Sequence, residues 1–415
     1  MGEISEEPES KSAKQAAQKT RAEDNPWYLL ATLYGVPGEG DYELQKKNRV
    51  TWNRYFAANL DDKMRARLIE EKRHPAEELT PFSPEQLEDV KRTFAKRCKA
   101  SGKILALPAS DADIDFCYVD FEQGAFFGGY LVRDCFFQSA TFSGAAVFAR
   151  TTFSKGAHFD GAAFSSWASF GGAVASGGAS FDGATFSGKA SFGGAAFSGG
   201  ASFDDAAFGQ ESSFVNAEMK GETSFERATF ENEPPTFFNA KLHQGTVWRD
   251  IKDWPKPKLK DEAGRFLDAY ACLKLEMDRL KKHEDELDFF ALELQSRRVL
   301  QESELKGSGL PIALYGLVAD YGRSYARPLY AIIAVAAFGT LVLLLSGALA
   351  APWQSLGMSV ANTLNVFGFR KDLLDPHLFE NLPAPLKILA AGQTILGAIL
   401  LFLFGLGVRN KFRMK

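Results

Sequence analysis

The sequence contains few of the residues that usually carry catalysis or bind metals. Four cysteines and five histidines are scattered through 415 residues, with no CxxC pair and no zinc-type spacing. Catalytic Ser/His/Asp orders, GxSxG elbows and phosphate-binding glycine loops are also missing from the sequence. His283 and Glu284 belong to the charged run KKHEDE, which is typical of a solvated helix face. We therefore expect no enzymatic activity, no cofactor and no metal.

A strong charge of one sign and an apolar N-terminal segment are absent as well. The net charge is −4, so the composition indicates no nucleic-acid partner. Residues 1–24 are polar and charged, which predicts a disordered tail rather than a secretory signal. The unpaired cysteines and the missing signal then predict a reducing cytosol for the water-soluble part of the chain.

Phenylalanine is abundant in the middle of the chain, and its spacing there is strict. Apolar peaks from Phe142 to Phe230 are separated by alternating steps of six and five residues, so the period is eleven. Fifteen of these seventeen peaks are phenylalanine, and a small residue lies two positions before every peak. Residues two apart in a strand face the same side, so each half-repeat buries one small and one large side chain. Short strands separated by Gly, Ser and Asp turns predict a solenoid.

This pattern resembles the pentapeptide-repeat family, whose motif has a central Leu or Phe and a small residue two positions earlier. A pure five-residue step is expected upstream, through Phe116, Phe121, Phe126, Leu131 and Phe136. The resemblance covers residues 112–250 and implies a right-handed, quadrilateral β-helix. The arrangement along the whole chain is similar to that of membrane-bound bacterial members with two C-terminal transmembrane helices, which adds a cytoplasmic-membrane context but no known chemistry.

Four half-repeats give a coil of 22 residues and about six coils in all. Equivalent phenylalanines of successive coils should then stack in columns, with a gap at Ala175 that we expect Val174 to fill. The predicted structural core consists of Phe142, Phe148, Phe153, Phe159, Phe164, Phe170, Phe181, Phe186, Phe192, Phe197, Phe203, Phe208, Phe214, Phe225 and Phe230.

Some family members mimic DNA with an acidic surface, and this solenoid lacks the charge for that role. Residues 138–214 carry three basic and five acidic residues. Duplex DNA presents one charge per ~1.7 Å, so a mimic needs a dense acidic row.

Long uncharged stretches are confined to the C-terminal part of the chain. No charged residue lies between Arg327 and Arg370, and a second uncharged run of 21 residues extends from Ile388 to Val408. Each is long enough to cross ~30 Å of hydrocarbon. Basic residues flank the outer ends, which predicts a multi-pass protein of the cytoplasmic membrane with both termini in the cytoplasm. The membrane domain covers residues 326–408, and a basic tail covers 409–415.

Two interpretations remain open for the loop between the spans. It is either an amphipathic helix at the interface, anchored by Trp353, or a re-entrant segment as in a two-helix pore unit. The sequence NVFGF departs from a TVGYG-type filter. The candidate polar or pore residues within the membrane are Asn362, Asn365, Gly368 and Gln393.

Two further segments are predicted to be helical. Residues 25–111 form a helical N-terminal segment, in which Ser83, Pro84 and Gln86 are typical of a helix start. Residues 257–305 form one long charged amphipathic helix with an apolar seam from Phe266 to Leu294. That seam packs either against the end of the solenoid or against another subunit.

These features favour a membrane-anchored scaffold or binding protein without catalysis, with the repeat domain in the cytoplasm. The expected partners are membrane lipid, a protein whose identity the sequence does not give, and further copies of the chain as a homo-oligomer. The alternative is an oligomeric pore with a cytoplasmic sensor, since two spans alone cannot enclose a channel.

Overall fold

A computed structural model of the chain describes residues 19–304, 309–349, 351–365, 368 and 376–413. The chain divides into two compact units, residues 1–250 and 251–415. The first contains the solenoid and the helices that precede it, and the second contains the remaining helices.

The solenoid is built from four parallel sheets of two- and three-residue strands. Sheet I contains Thr20–Arg21, Val119–Phe121, Thr141–Phe142, Ala163–Phe164, Thr185–Phe186, Ala207–Phe208 and Thr229–Phe230. Sheet II contains Ile114–Asp115, Cys135–Phe136, Ala157–His158, Ala179–Ser180, Ala201–Ser202, Thr223–Phe225 and Val247–Trp248. Sheet III contains Ala125–Phe126, Ala146–Val147, Ala168–Ser169, Ala190–Ser191 and Ser212–Ser213. Sheet IV contains Leu131–Val132, Thr152–Phe153, Val174–Ala175, Ala196–Phe197 and Glu218–Met219. The predicted quadrilateral solenoid of about six coils is confirmed.

The phenylalanines fill the interior as stacked columns. All fifteen predicted core phenylalanines lie buried. Phe142, Phe164 and Phe186 stack with ring centroids 4.8 and 4.7 Å apart, the spacing of neighbouring strands. Rings of adjacent columns meet edge to face, as Phe192 and Phe203 do at 5.3 Å. The core is therefore a regular aromatic lattice.

Two details of the predicted repeat are wrong. Phe126 and Phe136 lie half-buried on the outside, and Phe127 and Phe137 occupy the interior instead. Likewise Val132, not the predicted Leu131, is in register with Phe153. The cause is that this early coil already contains one half-repeat of six residues. It lies between Phe121 and Phe127, where a step of five is predicted. Val174 also stays half-buried, so it does not fill the gap beside the buried Ala175.

Alternate corners of the coil require left-handed backbone. In two of the phenylalanine columns, the residue two positions after each phenylalanine has φ near +60°. Gly161, Gly183 and Gly194 are examples. Only glycine takes this conformation without steric cost. Arg150 occupies the same place with φ of 59°, so the fold imposes this backbone even on a long side chain.

The residues before the solenoid cover its first coils. They form α1 (Pro26–Ala31), α2 (Tyr42–Ala57), α3 (Asp62–Glu70) and α4 (Pro84–Ala100), with 3₁₀ turns at Ala22–Asp24 and Ala76–Leu79. Ser83 and Gln86 form the predicted capping box of α4. Trp52 Nε1 donates to the carbonyl of Leu131 at 2.8 Å, which ties α2 to the solenoid. Trp27, Tyr28, Trp52 and Phe56 are buried in this region.

The prediction of a disordered tail to residue 24 is wrong at its C-terminal end. Thr20 and Arg21 form a parallel strand that pairs with Val119 and Asp120 of sheet I. Residues 1–18 lie outside the described residues.

The regular structure of the second unit is helical in the residues described. It contains α5 (Lys260–Leu280), α6 (His283–Glu304), α7 (Leu310–Ala319), α8 (Ala326–Ser346), α9 (Pro352–Thr363), α10 (Pro376–Glu380) and α11 (Ala384–Arg413), with 3₁₀ turns at Ile251–Asp253 and Asp320–Gly322. Residues 409–413, predicted as a tail, continue α11.

The single long helix predicted for residues 257–305 is wrong. The chain turns at Lys281, whose φ is 59°, and α5 and α6 pack on each other as a hairpin. Phe266, Tyr270, Leu273 and Met277 of the predicted seam are buried there. The hairpin therefore covers the apolar seam of α5 within one chain.

Within the described residues, α8 and α11 are long and apolar enough to cross a membrane. In their most apolar windows only 17% and 22% of the residues are buried, so both helices present apolar side chains outward. Membrane association follows from this, since the core helices of soluble proteins are mostly buried.

Candidate functional site

The segment between the two apolar helices contains α9, which packs between α8 and α11. Pro352 opens α9, and Gln354 Oε1 accepts the backbone N–H of Ala351 at 3.1 Å. Ser359 and Asn362 on its inner side are buried, whereas Trp353 on its outer side is 72% exposed. The polar side of α9 thus faces the other helices. This arrangement favours the re-entrant interpretation over an interfacial helix.

The C-terminal end of α9 lies halfway along the two apolar helices. Ser359 Oγ donates to the carbonyl of Ala336, which is in the middle of α8. The carbonyl of Thr363 faces Gly397, which is near the middle of the uncharged run of α11. A helix of 12 residues is ~18 Å long, about half the ~30 Å of a hydrocarbon core. In a bilayer, α9 would therefore enter from the side of Ser346 and end near the midplane.

Four side chains form a polar cluster between the three helices: Ser359, Asn362, Gln393 and Thr394. Gln393 Nε2 donates to Ser359 Oγ at 2.7 Å and to the carbonyl of Val335 at 3.2 Å. Thr394 Oγ1 donates to the carbonyl of Asn362 at 3.1 Å. Hydrogen bonds of this kind hold membrane helices together because the apolar surroundings offer no alternative partner.

Glycines make room for this cluster. A Cβ on Gly339 would lie 1.9 Å from Gln393 Nε2, and one on Gly397 would lie 1.9 Å from the carbonyl oxygen of Thr363. Both distances are far below van der Waals contact. The close approach of α9 to its neighbours therefore requires glycine at both positions.

Two buried atoms of the polar cluster lack a partner among the described residues. These are Asn362 Oδ1 and Gln393 Oε1, both acceptors. A buried polar atom without a hydrogen bond costs ~1–3 kcal/mol. The site therefore has two oxygens that could accept from water or from a bound group.

The predicted candidate residues fall into two groups. Asn362 and Gln393 both belong to the polar cluster and are 1% and 3% exposed. Asn365 is half-buried just beyond α9, and Gly368 has left-handed backbone with φ of 79°. Residues 366, 367, 369 and 370 lie outside the described residues.

The sequence prediction missed Ser355, Ser359 and Thr363, which are all buried on the inner side of α9. Their spacing of four residues along an uncharged segment was the available signal, because it places all three on one helix face.

One group in the described part of the chain could bring three metal ligands together. Carboxylate and imidazole atoms of Asp278, His283 and Glu286 lie within 4.8 Å of one another. His283 Nδ1 is 3.0 Å from Glu286 Oε2, and Asp278 pairs with Lys281 at 3.4 Å. Since these pairings already occupy the group, we assign no ion to it, and the predicted absence of a metal stays a prediction.

The cysteines in the solenoid are poor nucleophiles in this setting. Cys135 is 1% exposed, and burial raises the pKa of its thiol well above the usual value. Burial raises the pKa of Cys117 to about 11, and its Sγ donates to Gln138 Oε1 at 2.9 Å. Both groups are therefore thiols at neutral pH, whereas a reactive cysteine needs a thiolate.

Comparison with known proteins gives one match. Residues 181–229 match the model of the family described as Pentapeptide repeats (9 copies). No curated protein and no solved structure matches the chain. The matched residues lie in the C-terminal half of the solenoid and contribute strands to all four parallel sheets. The family whose repeat this chain carries is therefore the pentapeptide-repeat family.

Proposed function

We propose that the protein is a multi-subunit cation pore whose wall is built from α8, α9 and α11. The supporting observation is that α9 ends halfway along the apolar helices with its polar side turned inward. Backbone that ends at membrane depth is tolerated only where it is buried in protein or lines a water-filled cavity. The basic residues at the far ends of the spans favour a cytoplasmic location for both termini.

The preference for cations comes from the direction of α9. The C-terminal end of a helix carries about half a negative charge, and here it lies near the midplane. No Lys or Arg occurs in the sequence between Arg327 and Arg370. An uncharged, dipole-lined site of this kind stabilises a cation more than an anion.

The wall has to be completed by further copies of the chain. One face of α11 alternates large and small residues at heptad spacing and is exposed except at the half-buried Ala398; its residues are Ile388, Ala391, Ile395, Ala398, Phe402 and Gly405. Small residues let membrane helices approach closely, and a Cβ on Gly405 would meet nothing within 4 Å. We therefore propose that this face of α11 joins neighbouring subunits in a cyclic homo-oligomer.

The test combines a mass measurement with a flux measurement on the full chain. In nanodiscs the wild type should have the mass of several copies, and in liposomes it should pass potassium faster than chloride. The double variant Ala391→Leu/Gly405→Leu should lose both the oligomer and the flux.

The control is Ala334→Leu/Ala337→Leu, which adds nearly the same bulk to exposed positions on α8, outside the proposed α11 interface. This control should keep both properties. A wild type that stays monomeric contradicts the pore, and equal rates for potassium and chloride contradict the role given to the α9 dipole.

A second function, a binding scaffold, is favoured by the outer face of sheet II. A shallow groove of about 360 Å³ runs along it, and its lining is mostly small residues such as Ser180, Ser202 and Gly200, with His158 and Glu222 among the larger ones. The hydroxyls of Ser180 and Ser202 already donate to Asp160 and Asp182 within the solenoid. The face therefore offers a flat surface of small side chains on which a protein partner can lie.

This function is tested by arginine substitutions that close the groove. Ser180→Arg/Ser202→Arg should abolish co-purification of a partner from gently solubilised membranes. Ser191→Arg/Ser213→Arg places the same change at half-buried positions of sheet III and should leave the co-purification intact. Equal loss with both variants, or no change with either, contradicts binding at sheet II.

A further inference from the structure

A pocket of about 380 Å³ lies beside the C-terminal end of α11 in the second unit. Its volume falls within the range of ~300–1,000 Å³ that small-molecule sites usually have. Five elements contribute to it: α5, α6, α7, the 3₁₀ turn Asp320–Gly322 and α11. The α11 residues in its lining are Leu406, Arg409, Asn410 and Arg413, which share one face of that helix. We call it the basal pocket.

The charges around the basal pocket leave two arginines without an acidic partner. Lys274 pairs with Glu293 at 2.5 Å, and His283 pairs with Glu286 at 3.0 Å. In the described part of the chain, Arg409 and Arg413 form no ion pair with a carboxylate, and the guanidinium of Arg409 donates to Asn410 Oδ1, at 3.2 Å. The two guanidinium groups therefore give the pocket a net positive charge.

The remaining lining is suited to a ligand with an apolar part. Leu287, Phe290 and Leu406 contribute apolar surface, and Tyr315 and Tyr321 contribute aromatic rings. Asn410 is 7% exposed and donates from Nδ2 to the carbonyl of Gly322 at 3.0 Å, which fixes this end of α11. The pocket thus combines a fixed wall, apolar surface and two arginines.

We propose that the basal pocket binds the phosphate-bearing headgroup of an anionic phospholipid. Arginine is suited to phosphate because its planar guanidinium donates two parallel hydrogen bonds. The pocket is next to the membrane helix, since Leu406 lies in the uncharged run that ends at Val408. A headgroup between the two arginines therefore leaves its acyl chains beside the apolar face of α11. Basic pockets at the ends of membrane helices recognise anionic lipids in this way.

The apolar part of the lining decides whether the phosphate belongs to a phospholipid or to a free phosphate compound. A free phosphate compound would use Arg409 and Arg413 alone, and the apolar surface of Leu287, Phe290 and Leu406 would remain unpaired. A phospholipid uses both. The proposal is independent of the pore, because one chain supplies the whole pocket.

The test measures thermal melting of the purified full-length protein in a neutral detergent, with added phosphatidylglycerol, phosphatidylcholine or inorganic phosphate. Phosphatidylglycerol should raise the melting temperature of the wild type by about 3 °C or more, since a ligand of the folded state stabilises it. Phosphatidylcholine and phosphate should shift it by less than a third as much.

The variants Arg409→Gln and Arg413→Gln should each lose at least half of the shift that phosphatidylglycerol causes. Lys411→Gln is the matched control, because Lys411 is exposed, lies on α11 between the two arginines and does not line the pocket. It should keep the whole shift. The variants are compared by the change in melting temperature that phosphatidylglycerol causes, and not by the melting temperature itself. A variant that is merely less stable than the wild type therefore still reports on lipid binding.

Three results would overturn the proposal. An equal shift with phosphatidylcholine means that anionic charge is not recognised, and an equal shift with phosphate means that the ligand is not a lipid. If Lys411→Gln loses as much as Arg409→Gln, the attraction is diffuse and the pocket has no special role.

Discussion

Gln393 of α11 and Ser359 of α9 are joined by a hydrogen bond of 2.7 Å in which the amide Nε2 donates to the hydroxyl. Gly339 of α8 faces the same amide at a distance that excludes any side chain. The three helices therefore meet at one point, and the first prediction concerns that point.

Gly339→Ala should destabilise the helical unit by displacing Gln393, because the new methyl would overlap its Nε2. Overpacking of a well-packed site costs ~1–3 kcal/mol, and the hydrogen bonds of Gln393 are lost in addition. Gly392→Ala is the control, since a Cβ there meets nothing within 4 Å. Melting of the two variants in detergent compares them directly. Equal melting temperatures would contradict the observed helix contact.

Phe192→Ala should destabilise the solenoid by about 3–5 kcal/mol, because it removes a ring that stacks on two others. Phe192 lies between Phe170 and Phe214, with centroids 5.1 and 4.9 Å away. Denaturant unfolding of a fragment of residues 1–250 provides the measurement. Ser191→Ala, one position away on the outside, should change the free energy of unfolding by less than about 0.5 kcal/mol. If the two variants unfold alike, the assignment of inward positions is incorrect.

Ala175→Phe should be tolerated or stabilising, because it fills a gap in a column of larger side chains. Ala175 pairs in register with Phe153 and Phe197, so a new ring would stack between two existing ones. Ala195→Phe is the contrasting variant, since Ala195 is fully buried at a position that Ala173 and Ala217 occupy in the neighbouring coils. Ala195→Phe should lower the free energy of unfolding by ~1–3 kcal/mol or more, because the added ring overpacks the interior. Equal losses in the two variants would show that the gap at Ala175 is already closed.

The sequence predicts the solenoid well because its signal is repeated in every coil. One coil alone would be ambiguous, but the alternation of six and five residues fixes which side of each strand faces inward. The early coils were misassigned at Phe126 and Phe136 because two phenylalanines are adjacent there, and hydropathy cannot choose between neighbours.

The helical unit was harder to predict because its main contacts are made between distant residues. The turn at Lys281 lies inside a charged run without glycine or proline, so nothing local marks the end of α5. The polar cluster likewise depends on how α9 packs. Asn362 and Gln393 are identifiable in the sequence as polar residues of apolar segments, whereas the hydrogen bond from Gln393 to Ser359 is visible only in the structure.

The last prediction concerns the pH dependence of the first unit. His74 is 3% exposed and lies 3.0 Å from Thr152 Oγ1 of the solenoid through its Nε2. Burial is the main cause that lowers the pKa of His74 to about 4; Glu78 opposes this effect, and the nearby Arg49 and Arg73 add to it. The imidazole is therefore neutral in the folded protein over most of the acidic range.

Above about pH 6.5, His74 is neutral in both the folded and the unfolded chain, and its protonation does not affect stability. Between pH 6.5 and about 4 the unfolded chain binds a proton that the folded chain does not, so the free energy of unfolding should fall as the pH falls. The slope is ~1.4 kcal/mol per pH unit, which amounts to roughly 2–4 kcal/mol across this window.

Denaturant unfolding of the fragment of residues 1–250 at pH 7, 6 and 5 gives the slope. The side chain introduced by His74→Gln cannot be protonated, so this variant should lose the part of the slope that His74 contributes. The other titrating groups are the same in both proteins. Parallel pH profiles for the wild type and His74→Gln would show that His74 accepts a proton in the folded state as readily as in the unfolded chain.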